Sequence, residues 1–197
     1  MDKDSISIGG LYKNLIVRVK GLAVSPQKEW SAILSEGKTL NDVLTNYSLP
    51  LIGIYTITVF IGYLMGLQQL DFQLALREAV FTFSSCFFGL YVSYFLLLKA
   101  LAMMGHALDK IKVFQLVAYS SGVLYITGSL VAIVPETIVI AGIINLYVVY
   151  LIWQALHVLK QIASENRIWL SIVIGLVVLL MPSLISRLFM FVSNLTV

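Results

Sequence analysis

Residues 113–159 read VFQLVAYSSGVLYITGSLVAIVPETIVIAGIINLYVVYLIWQALHVL, and Glu136 is the only formal charge among them. The segments on either side of that glutamate, 113–135 and 137–159, are each long enough to cross hydrocarbon, which takes about 20 apolar residues as helix. Val134-Pro135-Glu136 is too short a connection for anything but a tight turn, so the two segments are expected to be antiparallel neighbours. Three further uncharged apolar runs, 43–70, 79–98 and 168–186, share the same character. Lipid offers no water to backbone N–H and C=O groups, so such segments must be helices or a closed barrel. Runs this continuous lack the alternation of barrel strands. The expected fold is all-α: an integral membrane bundle of five transmembrane helices, residues 47–197, preceded by a cytoplasmic or interfacial helical segment, residues 1–46.

Composition agrees. Fifty-nine per cent of the residues are hydrophobic and 12% charged, with a mean hydropathy of +0.94, whereas soluble domains carry about 25% charged residues. The thirteen basic residues are unevenly placed. Lys3, Lys13, Arg18, Lys20, Lys28 and Lys38 precede the first run, Lys99, Lys110 and Lys112 lie between the second and third, and Lys160 and Arg167 separate the fourth from the fifth. Only Arg77 and Arg187 fall on the other side. By the positive-inside rule, this split of eleven to two puts the N-terminus in the cytoplasm and, after five spans, the C-terminus outside. The +3 net charge is thus mainly a topology signal, and no nucleic-acid partner is expected. The first 46 residues hold no charge-free stretch of signal-peptide length behind a basic segment, so the first span is expected to direct insertion. Cys86, the only cysteine, lies inside the second run and is expected to be a buried small residue.

Residues 1–8 are polar and expected to fray. Leu11, Leu15, Val19 and Leu22 then recur at helical spacing, with Lys13, Asn14 and Lys20 largely off that stripe and Ile16 and Arg18 blurring the faces. This predicts an amphipathic helix lying in the membrane interface or packed on the protein's own surface. Ser25-Pro26 is a start signal, with a hydroxyl to cap the next helix and a proline suited to its first position, and Gly37 is the matching stop. Trp30, Ile33 and Leu34 form a patch expected at headgroup level or against the bundle. Thr39 with Asp42 reads as a capping box into the first span, Pro50 falls early in that span, where a kink or a restarted turn would be tolerated, and a short turn around 68–74 is expected to join it to the second. Pro182 predicts a kink in the last span.

Tyr147, Tyr150, Gln154 and His157 share one face of the fourth span, and Gln115, Tyr119, Gly122 and Ser129 share one face of the third. Ser84, Ser85, Tyr91 and Tyr94 add hydroxyls from the second. Such faces could line a polar path between spans two to four for a lipid headgroup or small solute. Ordinary hydrogen bonding between helices, worth about 1 kcal/mol per contact, is the plainer account, because no Asp, Glu, Lys or Arg lies deep in any run. That absence also argues against an enzyme or an ion-coupled pump. His106 and His157 are the only histidines, and no metal or other cofactor is expected. Ala118, Ser121, Gly128 and Ala132 align small residues for close helix packing on the third span.

Pro26 with Trp30 and Ile33, the stretch 105–112, the segment VFQLVAYS at 113–120, the Val134-Pro135 turn, and Tyr147 with Tyr150 occur in an order that resembles the Yip-domain family of five-span membrane proteins, and especially its bacterial branch. The resemblance covers most of residues 20–185 and implies five helices with a cytoplasmic N-terminus and a short external tail. Eukaryotic members interact with Ypt and Rab GTPases and act as non-enzymatic adaptors in vesicle traffic. Their Asp-Leu-Tyr-Gly-Pro type motif is replaced here by Asn46-Tyr47-Ser48-Leu49-Pro50, which points to the bacterial inner membrane instead.

Two roles are therefore expected. In the first, the protein organises partners or lipids at the cytoplasmic face through Lys13, Arg18, Lys20, Trp30, Gly105, His106, Lys110 and Lys112. In the second, it is a small channel, transporter or lipid-handling protein using Gln115, Tyr119, Ser129, Tyr147, Tyr150, Gln154 and His157. The partners expected are membrane lipids and either an unidentified protein or a second copy of the chain.

Overall fold

The computed structural model describes residues 8–66, 71–106 and 108–195. Most of the segment expected to fray, and 68–70 of the first external turn, lie outside the described residues. Two helices, α1 (Ile8–Val24) and α2 (Pro26–Ser35), precede five membrane-length helical segments. The first comprises α3 (Leu40–Val43), a π-helical turn (Leu44–Ser48) and α4 (Leu49–Gly66). The others are α5 (Phe72–Met103), α6 (Lys110–Ile133), α7 (Ile138–Asn145) continued by α8 (Tyr147–Leu159), and α9 (Ser164–Leu195). All regular structure among the described residues is helical. The spans run past the uncharged segments at several ends, because a helix whose backbone bonds are internal can continue into headgroup and water.

Local sequence accounts for the breaks. Thr39 accepts the Asp42 N–H at 3.2 Å while Asp42 accepts the Thr39 N–H at 2.9 Å, a capping box that starts span one. A π turn, Leu44–Ser48, precedes Pro50. Gly37 takes a left-handed conformation (φ 60°) after α2, the stop its sequence implied. Gly105 (φ 76°) ends α5 in a Schellman arrangement, with the His106 N–H on the Leu101 carbonyl and the Gly105 N–H on that of Ala102. Between α6 and α7, Pro135–Thr137 forms a single 3₁₀ turn. The Ser25 hydroxyl, in contrast to the expectation, makes no capping bond; proline at N1 and the Ser25 carbonyl, which accepts the Glu29 N–H at 3.0 Å, begin α2 without it.

Packing runs through one buried cluster in which Leu15, Leu22, Trp30 and Ile33 join residues of all five spans. Span three is central, with residues 113–122 buried throughout. Spans one and three approach closely: a methyl group on Gly62 would collide with the Ala132 backbone carbonyl, and one on Gly128 with the Tyr55 ring. Spans two and five meet at Gly89, where a methyl group would lie 2.9 Å from Pro182 Cγ and 3.0 Å from its Cα and N. Pro182 does not end α9; its ring seats on the flat surface that Gly89 leaves. Cys86 is 4% exposed, buried as expected.

Candidate functional site

The helices α1 and α2 fold back on each other as a hairpin along the side of the bundle, at the end carrying the basic loops. The Tyr147 hydroxyl donates to the carbonyls of Leu22 (3.0 Å) and Ala23 (3.2 Å) at the hairpin's tip. Tyr147 is twelve residues from Leu159, so the tip lies about 18 Å of helix below that end of span four. Leu15 and Leu22 face inward, each 3% exposed, and Trp30 and Ile33 are fully buried. The Trp30 patch therefore rests against the bundle, its indole edge-on to Tyr119 at 6.0 Å between ring centres.

Arg18 locks the hairpin. It lies on the inward side of α1 and binds Glu29 of α2 at 2.6 Å and Glu36 just beyond α2, while Lys38 holds the other Glu36 oxygen at 2.8 Å. Its guanidinium carbon sits 5.9 Å from the centre of the Tyr119 ring, a cation–π distance. Burial works against the Arg18 charge, yet the hydrogen bond and attraction from Glu36, helped by Glu29, outweigh it and raise its pKa. Burial likewise works against the Glu36 charge, but hydrogen bonds from Arg18 and Lys38 prevail and hold its pKa below the ordinary carboxyl value. The cluster borders a cavity of about 440 Å³ walled by Asn14, Arg18, Glu36, Asn46, Tyr47 and Tyr119. Tyr47 donates to the Tyr119 carbonyl at 3.2 Å, and its hydroxyl occupies the space a side chain on Gly122 would fill.

Among the residues expected to form an intramembrane path, Gln115 donates to the Ile33 carbonyl at 3.4 Å and Tyr119 meets Trp30, Tyr47 and Arg18. Both face the hairpin. Tyr150 accepts from Gln154 at 2.7 Å, and these two border a shallow depression with Ser25 and Lys28. His157 stands 3.1 Å from Arg167 at the start of α9, and the Ser129 hydroxyl donates to the Tyr125 carbonyl within its own helix. Tyr147 and Tyr119 share the edge of an apolar crevice at the tip of α1, but the residues as a set do not meet in one cavity. Helix-face arithmetic places polar groups on a side without naming the neighbour, and for most of these the neighbour is the N-terminal hairpin.

On the expected interaction surface, Lys13 and Lys20 are exposed on the outer face of α1 beside Tyr12, Ile16, Val17 and Val24, which are 43–71% exposed. Lys110 is exposed, and Lys112 pairs with Asp109 at 3.2 Å. His106 is half-buried next to Gly105, the residue that stops α5. Glu29 and Glu36 were missed from sequence, since their spacings of eleven and eighteen from Arg18 carry no local pattern. The one available signal was Arg18 itself, an arginine among leucines on the inward stripe, which needs a partner.

Five helices long and apolar enough to cross a bilayer, with a helical hairpin docked on their side, define an all-α integral membrane protein. Residues 20–185 match the Yip1 domain, and the chain belongs to the Yip1 domain family. No curated protein and no solved structure is detectably similar to it.

Proposed function

We propose that this protein is a non-enzymatic member of its family that organises lipids or a protein partner at the cytoplasmic face of a bacterial inner membrane, with its N-terminus in the cytoplasm and its C-terminus outside. The two-sided character of α1 supports the reading. Its inward stripe is bound to the bundle and fixed by Arg18, while its outward face presents aliphatic side chains and lysines together. Burying Ile16 and Val17 at the membrane boundary, with Val24 at the tip deeper among acyl chains, while the stems of Lys13 and Lys20 carry their charges toward anionic headgroups is the usual energetics of an amphipathic membrane-surface helix. Gly105, His106 and Lys110 lie at the same end of the bundle and extend that surface.

Purification from native membranes followed by native mass spectrometry tests the proposal. The wild type should retain anionic lipids or a protein species that a Lys13→Glu, Lys20→Glu double variant loses while keeping its helical content. Identical retained species in both would refute it. A reporter fused after Val197 should be active outside the cytoplasm; cytoplasmic activity would overturn the orientation.

A further inference from the structure

At the end of the bundle away from the hairpin, span four divides its allegiance. The helix α8 packs along α9, while α7 holds to α6 and makes no comparable contact with α9 among the described residues. The break between them is local: the Asn145 side chain accepts the Thr127 hydroxyl at 2.7 Å, and the Leu146 N–H turns back to the Ile143 and Ile144 carbonyls. A cleft of about 540 Å³ opens between α7 and α9, floored by α5 and α6.

Its lining is unlike the lipid-facing surface around it. Ser85 is 3% exposed and its hydroxyl has no hydrogen-bond partner among the described residues. Unsatisfied buried hydroxyls are uncommon, because each forfeits the hydrogen bonds it made in water. Arg187, exposed and directly after the last uncharged run, borders the cleft from α9 and forms no ion pair with any described residue. An exposed arginine at the end of an apolar run can extend its guanidinium to headgroup level. The rim between α7 and α9 carries Ile138 and Met190, 63% and 45% exposed, so the opening faces acyl chains.

We propose that this cleft binds the headgroup of an anionic phospholipid entering sideways between α7 and α9. Arg187 takes the phosphate through its planar fork of donors. Headgroup hydroxyls reach Ser85 and Asn145, and the acyl chains remain outside against Ile138 and Met190. A phosphodiester lipid supplies an anion for Arg187, a hydrogen-bond partner for Ser85 and an apolar tail together, and the volume falls within the range of ordinary ligand pockets.

The full-length protein, delipidated in mild detergent and offered equimolar dioleoylphosphatidylglycerol and dioleoylphosphatidylcholine, would be read by native mass spectrometry. The wild type should retain the glycerol lipid at least fivefold over the choline lipid. Arg187→Gln should bring that ratio near one. Gly142→Leu should cut retention of the glycerol lipid at least fivefold, because Gly142 borders the cleft and a side chain there has open space to fill. Ser85→Ala, a smaller change, should lower the ratio two- to threefold and serves if the leucine variant misfolds. Equal retention of both lipids by the wild type, or a preference unaltered in Arg187→Gln and Ser85→Ala, would overturn the proposal. So would displacement of the lipid by micromolar glycerol phosphate, which would make the ligand a free solute.

Discussion

Gly89→Ala should destabilise the bundle by about 2 kcal/mol, the middle of the 1–3 kcal/mol range for overfilled sites. The added methyl would stand 2.9 Å from Pro182 Cγ and 3.0 Å from its Cα and N. Favourable carbon contacts lie at about 3.5–4.0 Å. The methyl is therefore too close by half an ångström or more to three atoms at once. Two of them are backbone and the third belongs to a ring fused to the backbone, so no side-chain rotation relieves the clash. The helices α5 and α9 must separate, loosening contacts along the longest pair in the molecule. Glycine in a helix is itself worth up to about 1 kcal/mol less than alanine, so the clash has to exceed a compensating gain. Gly53→Ala isolates that gain, because nothing lies within 4 Å of a methyl there. Reversible unfolding of detergent-solubilised protein with increasing sodium dodecyl sulfate, followed by tryptophan fluorescence, measures both variants. Gly53→Ala should match or slightly exceed wild type. If Gly89→Ala were equally stable, the close approach of spans two and five at Pro182 would be wrong.

Tyr47→Phe removes the hydroxyl that binds the Tyr119 carbonyl and should cost about 1 kcal/mol in the same unfolding assay. Lys160 ends α8 with φ 53°, a conformation glycine adopts without penalty, so Lys160→Gly should raise stability by about 0.5–1 kcal/mol. Glu36 has a lowered pKa in the folded chain, so its contribution to hairpin docking is complete above its unfolded pKa of about 4.3 and is lost as pH falls through the lower folded value. Trp30 fluorescence, in a chain with Trp153 and Trp169 changed to Phe, should report loosening in that acid range, and Glu36→Gln should flatten the transition attributable to this group. Arg18→Ala removes the cation that ties Glu29 and Glu36 to α1 and should expose Trp30 to aqueous quenchers at neutral pH, whereas Lys13→Ala should not.

The five spans, their order and their turns were legible in sequence because hydrocarbon demands long uncharged helices and Gly, Pro and capping residues punctuate them locally. Gly37, the Thr39–Asp42 box and the Val134-Pro135 turn act through neighbours only a few residues away, and each appears where its residue types imply. Residue spacing also separated the stripe of Leu15 and Leu22 from Lys13 and Lys20. Spacing says which side of a helix a residue occupies, but not what stands opposite. The tertiary structure alone decided that Gln115, Tyr119 and Tyr147 face the N-terminal hairpin, that Arg18 is answered by Glu29 and Glu36, and that α7 parts from α9 to leave a cleft that Ser85 and Arg187 both line. Those outcomes depend on groups far apart in the chain brought together by packing, and a helical period carries no information about them.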